Sequence, residues 1–170
     1  TAPEYGRSVL HSFIFSLGVT TLGLTVALLL ASLANQKLRG LTFYRTAVLW
    51  PYGIAPPVSG IIWLFIFHPI YGILPYLLSM VTTYEFNWLL KGWIAMLLVI
   101  CAAAWAHLGY NIAFFLAGLQ TIPRSVMDAA RVDGASGIGL FRWITFPLLS
   151  PVTFFLFIMN MVFSFFETFG

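Results

Sequence analysis

The chain has 170 residues, of which 61% are hydrophobic and only 8% charged, with a net charge of +3. A soluble domain carries roughly a quarter charged residues, so a globule surrounded by water is excluded. The basic residues gather in no single run or face, which excludes a nucleic-acid surface, and the lone Cys101 excludes an internal disulfide or a cysteine-based metal site.

Charge placement divides the chain. No charged residue falls between Arg7 and Lys37, Arg45 and Glu85, Lys91 and Arg124, or Arg142 and Glu167. Each gap exceeds the roughly 20 apolar residues that a helix needs to cross a hydrocarbon core. The pattern predicts an all-α, polytopic transmembrane bundle with four spans, at about 8–34, 46–67, 92–119 and 148–166, in one domain over 1–170.

The first span carries Gly23, Ala27 and Ala31 at every fourth position, a small-residue ridge that lets a neighbouring helix come close. It is too long for a signal peptide and lacks a cleavage site. The chain starts without methionine and stops at Gly170 directly after an apolar helix, which suggests a piece of a longer protein. A polar connector, 35–45, follows with Lys37, Arg39 and Arg45. In the second span, Pro51, Pro56 and Pro57 remove backbone donors and predict a kink or break near its start. The tyrosines from Ile70 to Tyr84 suit an interfacial helix. The third span repeats a small-residue ridge at Gly109, Ala113 and Ala117.

Between the third and fourth spans lies the longest polar insert, 120–147, which holds Arg124, Arg131 and Arg142. With the 35–45 connector it contains most of the basic residues, so both loops are predicted to be cytoplasmic and both chain ends to face outward. Within the insert, Pro123 suits a first helical turn, Ser125 and Asp128 resemble a capping pair, and Gly134 can take the left-handed conformation that ends a helix. A second short helix is expected from about Ser136 to Ile144, until Pro147 restarts the chain into the membrane.

The spacing acidic-Ala-Ala, three residues, Gly, nine residues, Ile-x-x-Pro is met by Asp128, Ala129, Ala130, Gly134, Ile144 and Pro147. It resembles the EAA loop of permease subunits of binding-protein-dependent ABC importers, with Asp128 replacing the usual Glu and Phe146 the usual Leu. Ile122-Pro123 and Asp133-Gly134-Ala135 are similar to the carbohydrate-uptake branch. Pro51-Tyr52-Gly53-Ile54-Ala55-Pro56, Trp63 to Pro69 and Tyr110-Asn111 resemble the first permease subunit of glycerol-3-phosphate importers. The resemblance implies the type I importer permease fold with six spans, one of them before Thr1 and one after Gly170. It also implies a bacterial cytoplasmic (inner) membrane location, a second permease subunit, two cytoplasmic ATPase subunits and an extracytoplasmic solute-binding protein. Coupling to the ATPase would involve Arg124, Ser125, Asp128, Ala129, Ala130, Asp133, Gly134, Ala135, Ile144 and Pro147.

No cofactor is expected on this chain, and ATP and Mg would sit on the partner ATPase. Accordingly, no G-x-x-x-x-G-K-[ST] occurs, and Gly137-Ile138-Gly139 lacks the strand and glycine that a nucleotide loop needs. Polar residues within spans are costly and mark candidate solute contacts. Asn160, Ser164 and Glu167 share one face of the fourth span, Asn160 lying about 18 Å from its start. His107 and Tyr110 share a face of the third span, with Asn111 beside them. Together these suggest a path for a hydroxyl-bearing solute such as a sugar or sn-glycerol-3-phosphate. His11, His68 and His107 stand apart without carboxylates at ligand spacing, against a metal site. An ion-driven secondary transporter or channel is the alternative, but it calls for paired ionisable residues in the membrane and leaves the loop motif unused. A membrane enzyme lacks clustered acids, and exporters lack the loop.

Overall fold

The computed structural model describes residues 2–35, 53, 56–81 and 91–169. Described residues form helices and connections, with no strand among them: α1 (Ala2–Ala34), α2 (Pro56–Phe67), α3 (Ile73–Val81), α4 (Gly92–Ala106), α5 (Leu108–Thr121), α6 (Arg124–Val132) and α7 (Gly137–Leu140). A π-helical turn (Phe141–Thr145) then leads into α8 (Phe146–Phe169). Two stretches are each long and apolar enough to cross a membrane, Tyr5–Ala34 and Gly137–Phe166. The pair α4 and α5 makes a third if taken as one span bent by 49°.

The frame is α1 packed against α5, α8 and α4, with α5 also against α8. In hydrocarbon no hydrophobic force separates helix from lipid, so close van der Waals packing holds such a frame together. The sequence meets that need with small residues. Ala27 and Ala31 are fully buried and let Leu24 of α1 join Ile112, Phe115 and Leu119 of α5 and Leu149 and Leu156 of α8 in one core. A second cluster joins Val19 of α1 to Ile100 and Ala104 of α4. At Gly118, a Cβ would lie 2.9 Å from Leu149 Cδ2 and 3.1 Å from Val152 Cγ2, so α5 and α8 are in backbone-close contact there.

Three expectations change. The third span is broken: His107 leaves helical geometry (φ −85°, ψ −4°) and separates α4 from α5. On the far side of that bend the buried face runs through Gly109, Asn111, Ile112, Phe115, Gly118 and Leu119. Ala113 and Ala117 are exposed, so Gly118 makes the close approach that the expected ridge assigned to them. Finally, the chain does not restart at Pro147. One helix continues from Gly137 past both Pro147 and Pro151. Pro147 has no N–H for the carbonyl four residues back, and its ring would clash with that carbonyl; the wider turn just before it, where the Phe146 N–H reaches Phe141 O, accommodates both. Of the second predicted span, only the part from Pro56 is described, with Pro56 and Pro57 opening α2 as prolines do in a first turn. Pro51 and the 36–50 stretch lie outside the described residues.

Candidate coupling surface and solute path

The polar insert folds as a short helix hung from the end of α5. Ile122 and Pro123 are extended (ψ 119° and 135°), so the chain turns out of α5 before α6 begins. Capping differs from the expected Ser125–Asp128 pair: Pro123 is the N-cap and no side chain caps the helix. Asp128 instead accepts a hydrogen bond from Arg131 Nη1 at 3.0 Å in an exposed ion pair one turn on. At the other end Gly134 has φ +87°, its N–H donates to Arg131 O, and the Ala135 N–H donates to Ala130 O at 2.9 Å. This crossed pair of bonds around a left-handed glycine is a Schellman ending and fixes where α6 stops.

The helix has two faces. Arg124, Met127 and Arg131, one stripe at helical spacing, line a cleft of about 550 Å³ against the ends of α1 and α5 and the π-turn. Ala130 is buried beside it. Ser125, Ala129, Val132 and Asp133 lie on the other side and are exposed, Val132 by 88%. Ala135 and Ile144 are half-buried, while Gly134 and Pro147 are exposed. The outer face is therefore exposed and carries only short side chains, with Asp133 on it and Asp128 at its margin, a shape that another protein's groove can approach closely.

The intramembrane polar residues fall into two groups. Asn111 and Asn160 face each other across the α5–α8 contact, fully buried. Asn111 Nδ2 donates to Asn160 Oδ1 at 3.0 Å, and Asn160 Nδ2 donates to Asn111 Oδ1 at 2.8 Å and to Leu156 O at 2.8 Å. Gly23 of α1 lies alongside this pair, where a Cβ would make an ordinary contact 3.6 Å from Asn111 Nδ2. Ser164 is buried one turn further along α8. Asn111 and Asn160 thus pair across the α5–α8 contact. Sequence reasoning missed two further buried polar residues, Ser16 and Thr20 of α1, whose hydroxyls are unpartnered among the described residues. The signal was present: Ser12, Ser16 and Thr20 recur every fourth residue.

The second group is aromatic and half-exposed. His107 stacks parallel to Phe163 (6.2 Å between centroids, 9°), and Tyr110 meets the same ring edge-on at 6.4 Å. Phe114 continues the patch from Tyr110 to Phe155. The break at His107 puts that residue at the start of α5, where it and Tyr110 share this open face with α8. Glu167 lies on α8, with its side chain outside the described residues. No group of histidine, cysteine and acidic side chains that could hold a metal occurs among the described residues.

An all-helical frame built on close small-residue contacts, with two or three apolar stretches long enough to cross a bilayer, suits a membrane transport component. Solved structures share the fold. A bacterial ABC transporter involved in import of the acidic polysaccharide alginate superposes with a TM-score of 0.74 over 90% of this chain and 56% of its own, at 20% identity. The alginate transporter in complex with an alginate pentasaccharide-bound periplasmic protein gives 0.73 at 20% identity, over 89% of this chain and 55% of its own. The chain belongs to the family of binding-protein-dependent transport system inner membrane components, which it matches over residues 23–170. It is thus a transport component and not an enzyme. Among its relatives, the sn-glycerol-3-phosphate transport system permease protein UgpA of Rhizobium meliloti is 49% identical over 169 residues, covering 98% of this chain. UgpA of Brucella abortus is 49% identical over 99% of the chain, and that of Yersinia enterocolitica 41% over 97%. The chain spans 57% of the length of the first two and 56% of the third.

Proposed function

We propose that the chain is part of a permease subunit that carries a three-carbon phosphate ester, sn-glycerol-3-phosphate, or a sugar across the bacterial cytoplasmic membrane, driven by ATP hydrolysed on partner subunits. The observation that carries this is the match to the UgpA relatives, 41–49% identical along nearly the whole chain. In this reading loops 35–45 and 120–147 face the cytoplasm, and the outer face of α6 (Ser125, Ala129, Val132 and Asp133) docks in a groove of one of two ATPase subunits. A second permease subunit completes the path, and a solute-loaded binding protein docks on the outer side. ATP and Mg belong to the ATPase, and this chain holds no cofactor. The half-open aromatic patch of His107, Tyr110 and Phe163 is the part of the present surface best suited to face the solute, while Asn111 and Asn160 act behind it by holding α5 to α8.

The test is uptake by the reconstituted complex. Vesicles containing the full-length permease, its partner permease, the ATPase and the binding protein should accumulate labelled sn-glycerol-3-phosphate only with ATP inside the nucleotide-accessible compartment. Accumulation driven by an ion gradient without ATP would overturn the reading in favour of a secondary transporter.

A further inference from the structure

The cleft behind α6 is not used by the proposed docking face, which lies on the other side of that helix. Its polar lining comes from four elements: Ser32 and Asn35 at the end of α1, Gln120 at the end of α5, Arg124 and Arg131 of α6, and Thr145 of the π-turn. Arg124 has no partner among the described residues, and Arg131 gives one of its five N–H donors to Asp128. Two guanidiniums against one carboxylate leave a net positive charge beside the amides of Asn35 and Gln120, while the Ser32 and Thr145 hydroxyls already donate to Leu28 O and Leu140 O. The sequence that follows Asn35 adds Lys37, Arg39 and Arg45 before any acid.

The level of the cleft indicates where the charge comes from. It lies where α1 ends and the helix leading into α8 begins, the two stretches long enough to cross a membrane. Beside it Arg142 rests over the indole of Trp143, 5.6 Å from the ring centroid, with Trp143 72% exposed. An exposed Trp–Arg pair at the end of an apolar helix belongs at the headgroup layer. Basic pockets between membrane helices at that layer take phosphate headgroups. We infer that this cleft binds the phosphodiester of an anionic phospholipid, with Arg124 and Arg131 meeting the phosphate and the α1 and α5 ends meeting the rest of the headgroup. The lipid would then sit between the membrane frame and the back of α6. The inference rests on the membrane placement proposed above, but its readout is lipid retention and needs no transport.

The full-length permease, purified with its partner subunits, is exchanged into nanodiscs of equal parts phosphatidylglycerol and phosphatidylcholine, and lipids retained after gentle detergent extraction are counted by native mass spectrometry. Wild type should retain phosphatidylglycerol about tenfold over phosphatidylcholine, and R124Q/R131Q should bring the two to parity. R124K/R131K, which keeps the charge, should keep most of the preference; this separates charge recognition from misfolding, as does recovery of the intact complex on size exclusion. No preference in wild type, or an undiminished preference in the glutamine variant, overturns the proposal. A parallel arm measures inorganic phosphate binding in lipid-free detergent. Arginine-dependent phosphate binding without phosphatidylglycerol enrichment would assign the cleft to a free anion and overturn the lipid as its occupant.

Discussion

The Asn111–Asn160 pair shows how a polar residue within a membrane helix can be structural even where its position suggests contact with solute. Each amide offers the other a donor and an acceptor, and Asn160 also gives a hydrogen bond to Leu156 O. Removing one partner leaves a buried amide unpaired, which costs about 1–3 kcal/mol in proteins generally and somewhat less between membrane helices. N160L should therefore lower the melting temperature of the purified complex, and N111L should do the same. N111L/N160L removes the unpaired amide along with its partner, so it should be less destabilised than the sum of the single changes by about 1 kcal/mol or more. Additive losses would show that the pair contributes no coupling. His107 and Tyr110 belong to the other group. F163A removes the ring on which both rest, and it should reduce uptake by about tenfold, a barrier change near 1.4 kcal/mol. Solute affinity of the isolated binding protein should be unchanged, and normal uptake kinetics would take the patch off the path. The two groups could not be told apart from spacing. Asn160 and Ser164 do share a face, as the helical period requires, but which neighbour that face meets depends on the close approach of α1 at Gly23 and on the break at His107.

At the scale of elements, α6 and its ending were the most legible part of the chain. Only a glycine accepts φ +87° without strain, and Gly134 stands at the position where the motif spacing predicts a helix end. No atom lies within 4 Å of a Cβ built there, so the constraint on Gly134 is backbone conformation and not space. G134N should retain most ATP-coupled uptake, since asparagine tolerates the left-handed region, whereas G134V should lose about tenfold or more with the membrane frame still folded. Equal uptake by the valine variant would remove the Schellman ending from the coupling role. Gly118 presents the opposite case, a glycine required by space alone. G118A already needs the flexible end of Leu149 to move and Val152 to give slightly, while G118L has to displace the stiffer Val152 further and should cost about 1–3 kcal/mol of complex stability by thermal melt. The start of α8 was less legible. A proline was read as a stop at Pro147, yet the π-turn beside it lets the helix run through, and nothing in a local window distinguishes the two outcomes.

Over the whole molecule, the apolar stretches that form α1, the α4–α5 pair and α8 were legible because charge is so strongly excluded from hydrocarbon that gaps in it stand out without any periodicity. Helix bends were not, since His107 breaks α4 from α5 without a proline. Sidedness is the remaining global property, and it follows from a different physical rule, the retention of Lys and Arg on the cytoplasmic side. Two exposed residues lie in the two kinds of loop: Val132 at the end of α6, 88% exposed, and Tyr71 between α2 and α3, 61% exposed. Cys101 is the only cysteine in the chain, so C101A provides a clean background for single introduced thiols. In right-side-out vesicles, a membrane-impermeant maleimide should label Y71C and leave V132C untouched until the membrane is opened. Inverted vesicles should give the reverse. The charge rule puts Arg124, Arg131, Arg142, Lys37, Arg39 and Arg45 on the side of Val132, and only Arg7 and Lys91 among the basic residues on the other. Labelling of Val132 from outside would place the basic loops outside too, against the charge rule, and would remove α6 from reach of any cytoplasmic ATPase.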